Sequence, residues 1–205
     1  MPFCVVKIGG SLIDRSQEIV RNLVELSLEG YRFLVVPGGG PMANLVRDLF
    51  QRCELSQEAS HWMAILAMEQ YAYFMADGTE AKLIQEISEP ENGVCILLPY
   101  NALLADDAGI EHNWNYTSDS VAAEVSCRLG TFMVKATDVD GVILEGKVTK
   151  DISAEDLFGK TTCIDQGALE ILSRYGRSCL VLNGTDPKRF VMNLKRKRGG
   201  TLIKG

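Results

Sequence analysis

The sequence predicts an α/β fold with a mostly parallel sheet covered by helices on both faces. Two observations indicate this. Short apolar runs alternate with helical patterns along the chain of 205 residues. The apolar runs, such as Phe3–Ile8, are continuous rather than alternating, as in strands that are buried on both sides. In such folds, ligands bind beyond the carboxyl ends of the strands.

The first half of the chain contains three apolar runs that predict strands. Asp14 and Gln17 have the spacing of a capping box, and apolar residues follow them at helical spacing as far as Gly30. Pro41 is suited to the first turn of the next helix. The predicted elements are strand 3–8, a helix from Asp14, strand 33–36, a helix from Pro41, a long helix 56–76, a helix 80–87, strand 94–98 and an acidic loop 99–110.

The second half of the chain continues the alternation. A helix opens at Ser118, and a turn at Glu145 and Gly146 predicts a small hairpin. The predicted elements are a helix from Ser118, strand 131–136, hairpin 142–148, helices near Glu155 and over 165–173, strand 179–182, a helix from Pro187 and a last strand 201–203.

The composition restricts the class of protein. A hydrophobic content of 46% with 23% charged residues is typical of a globular chain, and the length favours one domain. A net charge of −6 argues against a general nucleic-acid binder. Six scattered cysteines and two histidines show no zinc-ligand spacing, so the thiols are expected to be reduced. The start of the chain enters a strand almost directly, so we expect a soluble, cytoplasmic protein with no membrane partner.

Two glycine-rich segments each follow a predicted strand and precede a helix. Consecutive glycine N–H groups at a helix N-terminus form a cradle for phosphate oxygens, and Lys7 adds a cation beside the first segment. Either segment alone is equally typical of a plain βα turn, and neither is a Walker A or G-x-G-x-x-G motif. Together they predict a site where two phosphorylated groups meet. The candidate phosphate-binding residues are Gly9, Gly10, Ser11, Gly38, Gly39 and Gly40.

Carboxylates at two helix or strand ends have both a structural and a chemical interpretation. Asp119 lies where a helix begins, so it is either an N-cap or a carboxylate that orients a lysine or helps to bind Mg²⁺. Asp138 and Asp140 follow a predicted strand. They form either a solvated turn or a loop that meets the ribose, the base or hydrated Mg²⁺ of a nucleotide.

The long helix from Ser56 carries three candidate substrate-binding residues. His61 either packs within the protein or donates a hydrogen bond to a substrate phosphate. Glu69 and Asp77, further along the helix, are candidates for binding an amine or hydroxyl group of a substrate.

In chain order, these segments resemble the amino acid kinase family, which includes carbamate, acetylglutamate, aspartate, isopentenyl phosphate and uridylate kinases. The resemblance rests on the two glycine segments, Thr117-Ser118-Asp119-Ser120, the run from Lys135 to Val142, and the terminal Gly200-Thr201-Leu202-Ile203. It implies a three-layer α/β/α sandwich, ATP and Mg²⁺, and transfer of the γ-phosphoryl group to a small acceptor. It also implies a single kinase domain over residues 1–205, with the acceptor bound by about residues 1–110 and the nucleotide by about residues 111–205.

The resemblance assigns roles residue by residue. Lys7 is expected to stabilise the transferred phosphoryl group, and Asp119 to organise the catalytic lysine. The glycine segments are expected to bind phosphates through backbone N–H groups. The expected nucleotide-binding residues are Lys135, Thr137, Asp138, Asp140, Gly141 and Val142.

One departure from the family pattern bears on the acceptor. Acetylglutamate kinases carry a second catalytic lysine after the nucleotide loop, whereas the comparable stretch here, 163–169, has none. Uridylate and isopentenyl phosphate kinases also lack it, which favours a small phosphate monoester as acceptor and a diphosphate as product. The helix 61–71 resembles the small kinases of methanofuran biosynthesis. That resemblance implies [5-(aminomethyl)furan-3-yl]methyl phosphate, with His61 at its phosphate, Trp62 or Trp114 on the furan and Glu69 or Asp77 at the ammonium group.

Other interpretations stay open at this stage. UMP and isopentenyl phosphate are alternative acceptors, and a non-catalytic nucleotide-binding storage or regulatory protein is the competing class. The resemblance implies a homo-oligomer (a dimer, trimer or hexamer), with the apolar helix from Ser56 as a reasonable interface. The basic run 195–198 is either a solvated helix end or a contact to nucleotide phosphates.

Overall fold

The computed structural model describes residues 3–205. Its strands are β1 (Phe3–Ile8), β2 (Arg32–Pro37), β3 (Lys82–Ile84), β4 (Val94–Leu97), β5 (Phe132–Thr137), β6 (Ile143–Leu144), β7 (Lys147–Val148), β8 (Asp151–Ser153), β9 (Ser178–Asn183) and β10 (Thr201–Lys204). Its helices are α1 (Ile13–Ser27), α2 (Gly40–Arg52), α3 (Gln57–Ala76), α4 (Pro99–Ala105), α5 (Ser118–Arg128), α6 (Gln166–Tyr175) and α7 (Pro187–Arg196).

Within the described residues, eight strands form one sheet in the order β3-β4-β2-β1-β5-β9-β10-β8. The six strands from β3 to β9 are parallel, whereas β10 is antiparallel to β9 and parallel to β8. The strands β6 and β7 pair separately as the predicted hairpin. The carboxyl ends of β1, β2, β5 and β9 therefore lie side by side at one edge of the sheet, where a ligand of a parallel sheet is expected.

Helices cover both faces of the sheet because alternate strand residues point to opposite sides. Val5 of β1 belongs to a core formed with α5 and α6, whereas Val6 belongs to a core formed with α1 and α7. Helix α3 contributes to both cores, through Ile65 to the first and Tyr71 to the second. The predicted three-layer α/β/α sandwich with a mostly parallel sheet is confirmed.

Two predicted elements are wrong. The expected helix over 80–87 is strand β3, because its backbone pairs with the edge of β4 and this pairing outweighs a weak helical pattern. The expected acidic loop 99–110 begins with α4, which Pro99 opens in its first turn. The short strand β8, which pairs with β10, was not predicted. Its three residues are too few to show a period.

The predicted capping box at the start of α1 is also wrong. The N-cap residue is Leu12, and Asp14 lies inside the first turn. The side-chain amide of Gln17 instead donates to the carbonyl oxygens of Phe74 (2.9 Å) and Asp77 (3.1 Å), so it ties α1 to the end of α3. Gln17 therefore makes a tertiary contact with α3 in place of the predicted local capping contact with Asp14.

The basic run 195–198 lies at the opposite edge of the sheet from the glycine segments. Lys195 forms an ion pair with Glu29, just after α1, and the ammonium group of Lys197 lies 5.8 Å from the ring centre of Phe132, at the start of β5. This placement fits a solvated helix end. No helix within residues 3–205 combines the length and apolar character that a membrane crossing requires.

Candidate active site

A carboxylate shared by two lysines lies at the carboxyl end of the sheet. Lys7 of β1 and Lys135 of β5 are partners in the strand register, so their side chains leave the same face of neighbouring strands. Asp119, in the first turn of α5, forms an ion pair with Lys7 (Nζ to Oδ1, 2.7 Å) and another with Lys135. The three residues are only 4–5% exposed.

The charges of this group are not balanced within the triad. Burial alone would raise the pKa of Asp119, but Lys135 and Lys7 outweigh it and hold that pKa well below its ordinary value. Burial, together with the neighbouring Lys135, lowers the pKa of Lys7. One carboxylate therefore serves two ammonium groups, and an anionic ligand such as a phosphoryl group would supply the second negative charge.

Lys135 therefore occupies a position that its sequence motif did not indicate. The sequence motif places it among the nucleotide-binding residues, and the stretch 163–169 contains no second lysine. The structure brings Lys135 next to Lys7 from within the sheet. A charged residue in the middle of the apolar run of β5 was the available signal, because a lysine is rarely buried without a partner.

Asp165 takes the place in that stretch where a lysine was sought. Its carboxylate accepts hydrogen bonds from the N–H of Thr117 (2.9 Å) and of Ala168 (2.7 Å) and from the hydroxyl of Ser120 (2.7 Å). Its own N–H donates to Asp119 (3.3 Å). Burial and the charge of Asp119 raise the pKa of Asp165. This carboxylate joins the N-termini of α5 and α6 and so fixes the position of Asp119.

The two glycine segments contact each other through backbone atoms. The N–H of Gly9 donates to the carbonyl of Ala136 (3.0 Å), and the N–H of Gly38 donates to the carbonyl of Ile8 (2.8 Å). The first bond ties the Gly9 segment to β5 and the second joins the two glycine segments, so neither N–H group is free for phosphate. A Cβ on Gly10 would lie 2.5 Å from the backbone nitrogen of Gly40, so only glycine permits this approach.

A cavity of about 380 Å³ opens beside the glycine segments. Of the expected phosphate-binding residues, four line it: Gly10, Ser11, Gly39 and Gly40. The remaining walls come from α2, from α3 and from the residues that lead into α5, including Thr117 and Ser118. The cavity therefore adjoins the segment that carries Asp119.

Nitrogen donors line the cavity without partners. His61 is 8% exposed and lines the cavity, and within residues 3–205 neither its Nε2 nor the buried Nε1 of Trp114 has a hydrogen-bond partner. The guanidinium group of Arg47 lies 4.6 Å from the ring centre of Trp114 and also lines the cavity. The sequence interpretation missed Arg47. Its spacing of three residues from Asn44 on α2, just after the glycine segment, was the available signal.

Glu69 and Asp77 do not line the cavity. The carboxylate of Glu69 accepts a hydrogen bond from the N–H of Tyr100 (2.9 Å) and so caps α4, while Asp77 ends α3 in an exposed position. Among the described residues, no carboxylate lines the cavity. The acidic partner expected for an ammonium group is therefore not where the sequence placed it.

The loop after β5 holds the expected nucleotide-binding residues. Asp138 and Asp140 are exposed, and Asp140 accepts a hydrogen bond from the side chain of Asn183 at the end of β9 (2.9 Å). The N–H of Val142 donates to the hydroxyl of Thr201 (2.8 Å), which anchors the loop to β10. Thr137 is buried at the end of β5, and Gly141 has a positive φ that a side chain would strain. The loop thus presents two exposed carboxylates just beyond the strand that carries Lys135.

A parallel sheet with two glycine segments and a buried lysine pair at the carboxyl ends of its strands is an arrangement suited to phosphoryl transfer. Residues 2–183 match the model of the amino acid kinase family. The chain is 34% identical to the [5-(aminomethyl)furan-3-yl]methyl phosphate kinase of Methanocaldococcus jannaschii, over 94% of this chain and 93% of that protein. It is 24% identical to the acetylglutamate kinase of Bacillus cytotoxicus, over 98% and 96%. The crystal structure of uridylate kinase from Archaeoglobus fulgidus superposes with a TM-score of 0.75 at 22% identity, over 99% and 100%.

The chain belongs to the amino acid kinase family. The predicted family, the predicted fold and the prediction of a phosphotransferase are confirmed.

Proposed function

We propose that this kinase transfers the γ-phosphoryl group of ATP to a small phosphate monoester and gives a diphosphate, with [5-(aminomethyl)furan-3-yl]methyl phosphate as the acceptor, in methanofuran biosynthesis. The observation that carries the proposal is the pair Lys7 and Lys135 on Asp119, next to a cavity rich in nitrogen donors. The relative from Methanocaldococcus jannaschii supports the choice of acceptor.

The chemistry needs charge stabilisation and positioning more than proton transfer. The oxygen of a phosphate monoester is already anionic near neutral pH, so no strong general base is required. Lys7 and Lys135 stabilise the charge of the transferred group, and Asp119 orients both lysines. The N–H groups at the start of α2 add a favourable helix dipole.

The nucleotide fits the loop beyond β5. Its phosphates would lie beside Gly9, where a Cβ would stand 3.9 Å from the ammonium nitrogen of Lys7. The exposed carboxylates of Asp138 and Asp140 suit a ribose or hydrated Mg²⁺, which would neutralise phosphate charge when bound with ATP. Residues of about 111–205 then bind the nucleotide, and residues of about 1–110 supply most of the acceptor cavity.

The acceptor cavity favours an anionic, planar ligand. Arg47 and the free Nε2 of His61 suit the acceptor phosphate, and the ring of Trp114 suits a furan. The amine would meet the side-chain oxygens of Asn44 and Gln57 instead of a carboxylate. Glu69 and Asp77 are left in structural positions.

The test is an ADP-release assay with Mg²⁺ and ATP against the furan phosphate, UMP and isopentenyl phosphate. We expect turnover with the furan phosphate and at least tenfold less with the other two, because isopentenyl phosphate has no planar ring and neither competitor has the amine that Asn44 and Gln57 would meet. A preference for UMP or isopentenyl phosphate would retain the kinase and overturn the acceptor. ATP binding without turnover on any of the three would favour the non-catalytic class.

We also propose a homo-oligomer in the cytoplasm. Helix α3 is apolar on all sides, and Leu66, Tyr73 and Phe74 remain more than 40% exposed on it. A helix of this kind is normally covered. Sedimentation should show a dimer or a larger oligomer, and the double variant Tyr73→Glu with Phe74→Glu should have a lower mass. A monomeric parent chain would contradict the proposal.

The free cysteines fit a reducing compartment such as the cytoplasm.

A further inference from the structure

His112 lies in the segment 106–117, which connects α4 to α5, and it contacts a carboxylate through each ring nitrogen. Its Nδ1 meets the carboxylate of Glu58, in the first turn of α3, and its Nε2 lies 2.9 Å from the carboxylate of Asp107. Its ring stacks on the ring of His61, with 3.9 Å between the centroids and 12° between the planes. Helix α3 and the segment 106–117 therefore meet at one imidazole.

Trp62 completes the surroundings of the two imidazoles. Its ring stands edge-on to His61 and to His112, at 5.2 Å and 5.3 Å between centroids. Its indole N–H donates to the second oxygen of Glu58 (2.6 Å). Glu58 is thus held in place by two side chains, although it is on the surface.

The geometry gives the two histidines different charge states: His112 is a cation and His61 is neutral. An imidazole that faces a carboxylate from both nitrogens must donate from both, which is possible only for the cation. Burial opposes this charge, but the hydrogen bonds of Glu58 and Asp107 outweigh it and raise the pKa of His112. Burial and the neighbouring His112 cation lower the pKa of His61 to about 4. The charged groups that face His112 are Glu58, Asp107 and, when protonated, His61.

We propose that His112 is a positioning residue for the acceptor: it ties the segment that carries Trp114 and Thr117 to α3, and it sets the orientation and charge of His61 at the cavity. The proposal rests on the proposed function of the cavity as the acceptor site. Neither Glu58 nor Asp107 lines the cavity, so the cluster acts on the acceptor only through these neighbours.

The expected pH dependence follows from the two charge states. The ion pairs of the His112 cation with Glu58 and Asp107 are fully formed below the raised pKa of His112 and are lost as the pH rises through that pKa. His61 becomes charged only near pH 4. Acceptor affinity therefore falls as the pH rises through the raised pKa of His112, which is the direction expected for a cation that gains partners in the folded state.

The experiment compares His112→Gln with the parent chain and with Lys204→Gln, which removes a cation from an exposed ion pair on β10. We expect the KM for the furan phosphate to rise roughly tenfold, the lower end for one charge-assisted hydrogen bond. The KM for ATP and the Lys204→Gln values should not change. The alkaline rise in acceptor KM should disappear in His112→Gln.

The chain has only two histidines, so NMR titration resolves both, and His112→Gln, which leaves His61 as the remaining imidazole, assigns the two signals. The parent chain should show one imidazole that titrates near pH 4 and one above pH 6.5, and the low value should rise in His112→Gln. Two histidines near pH 6.5, or an unchanged acceptor KM, would overturn the proposal. If His112→Gln fails to fold, Glu58→Gln on the surface tests the same tie by lowering the pKa of His112. Failure of all acceptors would reject the proposed function, while the titration would still decide the charge states.

Discussion

The Lys7→Ala variant should lose roughly 10²–10³-fold in kcat while it remains folded. A preorganised cation on the transferred group contributes about this much to the rate. The fold should survive because removal of Lys7 leaves Asp119 paired with Lys135, a neutral pair in place of a triad with one excess positive charge. The loss belongs to the chemical step and not to the assembly of the site.

The measurement is single-turnover ADP formation at saturating ATP and acceptor, with circular dichroism to confirm the fold. Lys195→Ala is the matched control, since Lys195 pairs with Glu29 at the far edge of the sheet. Its kcat should equal that of the parent chain. Near-normal turnover in Lys7→Ala would exclude the proposed role of the lysine pair.

The Asp119→Asn variant should be both inactive and unstable. It removes the carboxylate that both buried ammonium groups contact, and breaking a buried ion pair in this way costs about 3–5 kcal/mol of unfolding free energy. With the carboxylate gone, the pKa values of Lys7 and Lys135 in the folded chain should lie below their unfolded value of 10.5. The unfolded chain then binds more protons, so the stability of the variant rises as the pH increases from 7 toward 10.

Urea unfolding at pH 7 and at pH 10 measures this effect. Asp151→Asn, which breaks an exposed ion pair with Lys204, should cost less than about 1 kcal/mol at both values. The difference between Asp119→Asn and the parent chain should shrink at the higher pH. An Asp119→Asn chain as stable as Asp151→Asn at pH 7 would show that the two lysines do not depend on this carboxylate.

The sequence predicted those features that depend on local pattern. Continuous apolar strands, glycine segments and the start of the long helix at Ser56 each show within a few residues, so the layers of the fold and the glycine segments of the site could be predicted. Lys135 could not be placed beside Lys7, because strand order is a tertiary property: β1 and β5 are neighbours although more than 120 residues separate them.

Two of the three candidate substrate-binding residues, Glu69 and Asp77, lie away from the cavity for a similar reason. Helical spacing places Glu69 on the same helix as His61, but it does not say which face meets the cavity and which meets α4. The segment 106–117 shows no periodicity, yet it supplies Trp114 and His112. Side chains from such segments take their positions from contacts with other elements, which no local pattern encodes.

The contact between Gly10 and Gly40 tolerates almost no substitution, whereas the cavity wall beside it can be substituted. The two loops meet through backbone atoms, and a Cβ on Gly10 would collide with Gly40. Residue 10 therefore has to remain glycine for the loops to keep this geometry. The cavity wall, built from side chains such as Arg47, His61 and Trp114, is free to vary without disturbing that contact. Substitutions in the cavity wall can therefore change the acceptor while the phosphoryl-transfer reaction is kept. A few substitutions on α2, α3 and the segment 106–117 would be enough for a new acceptor.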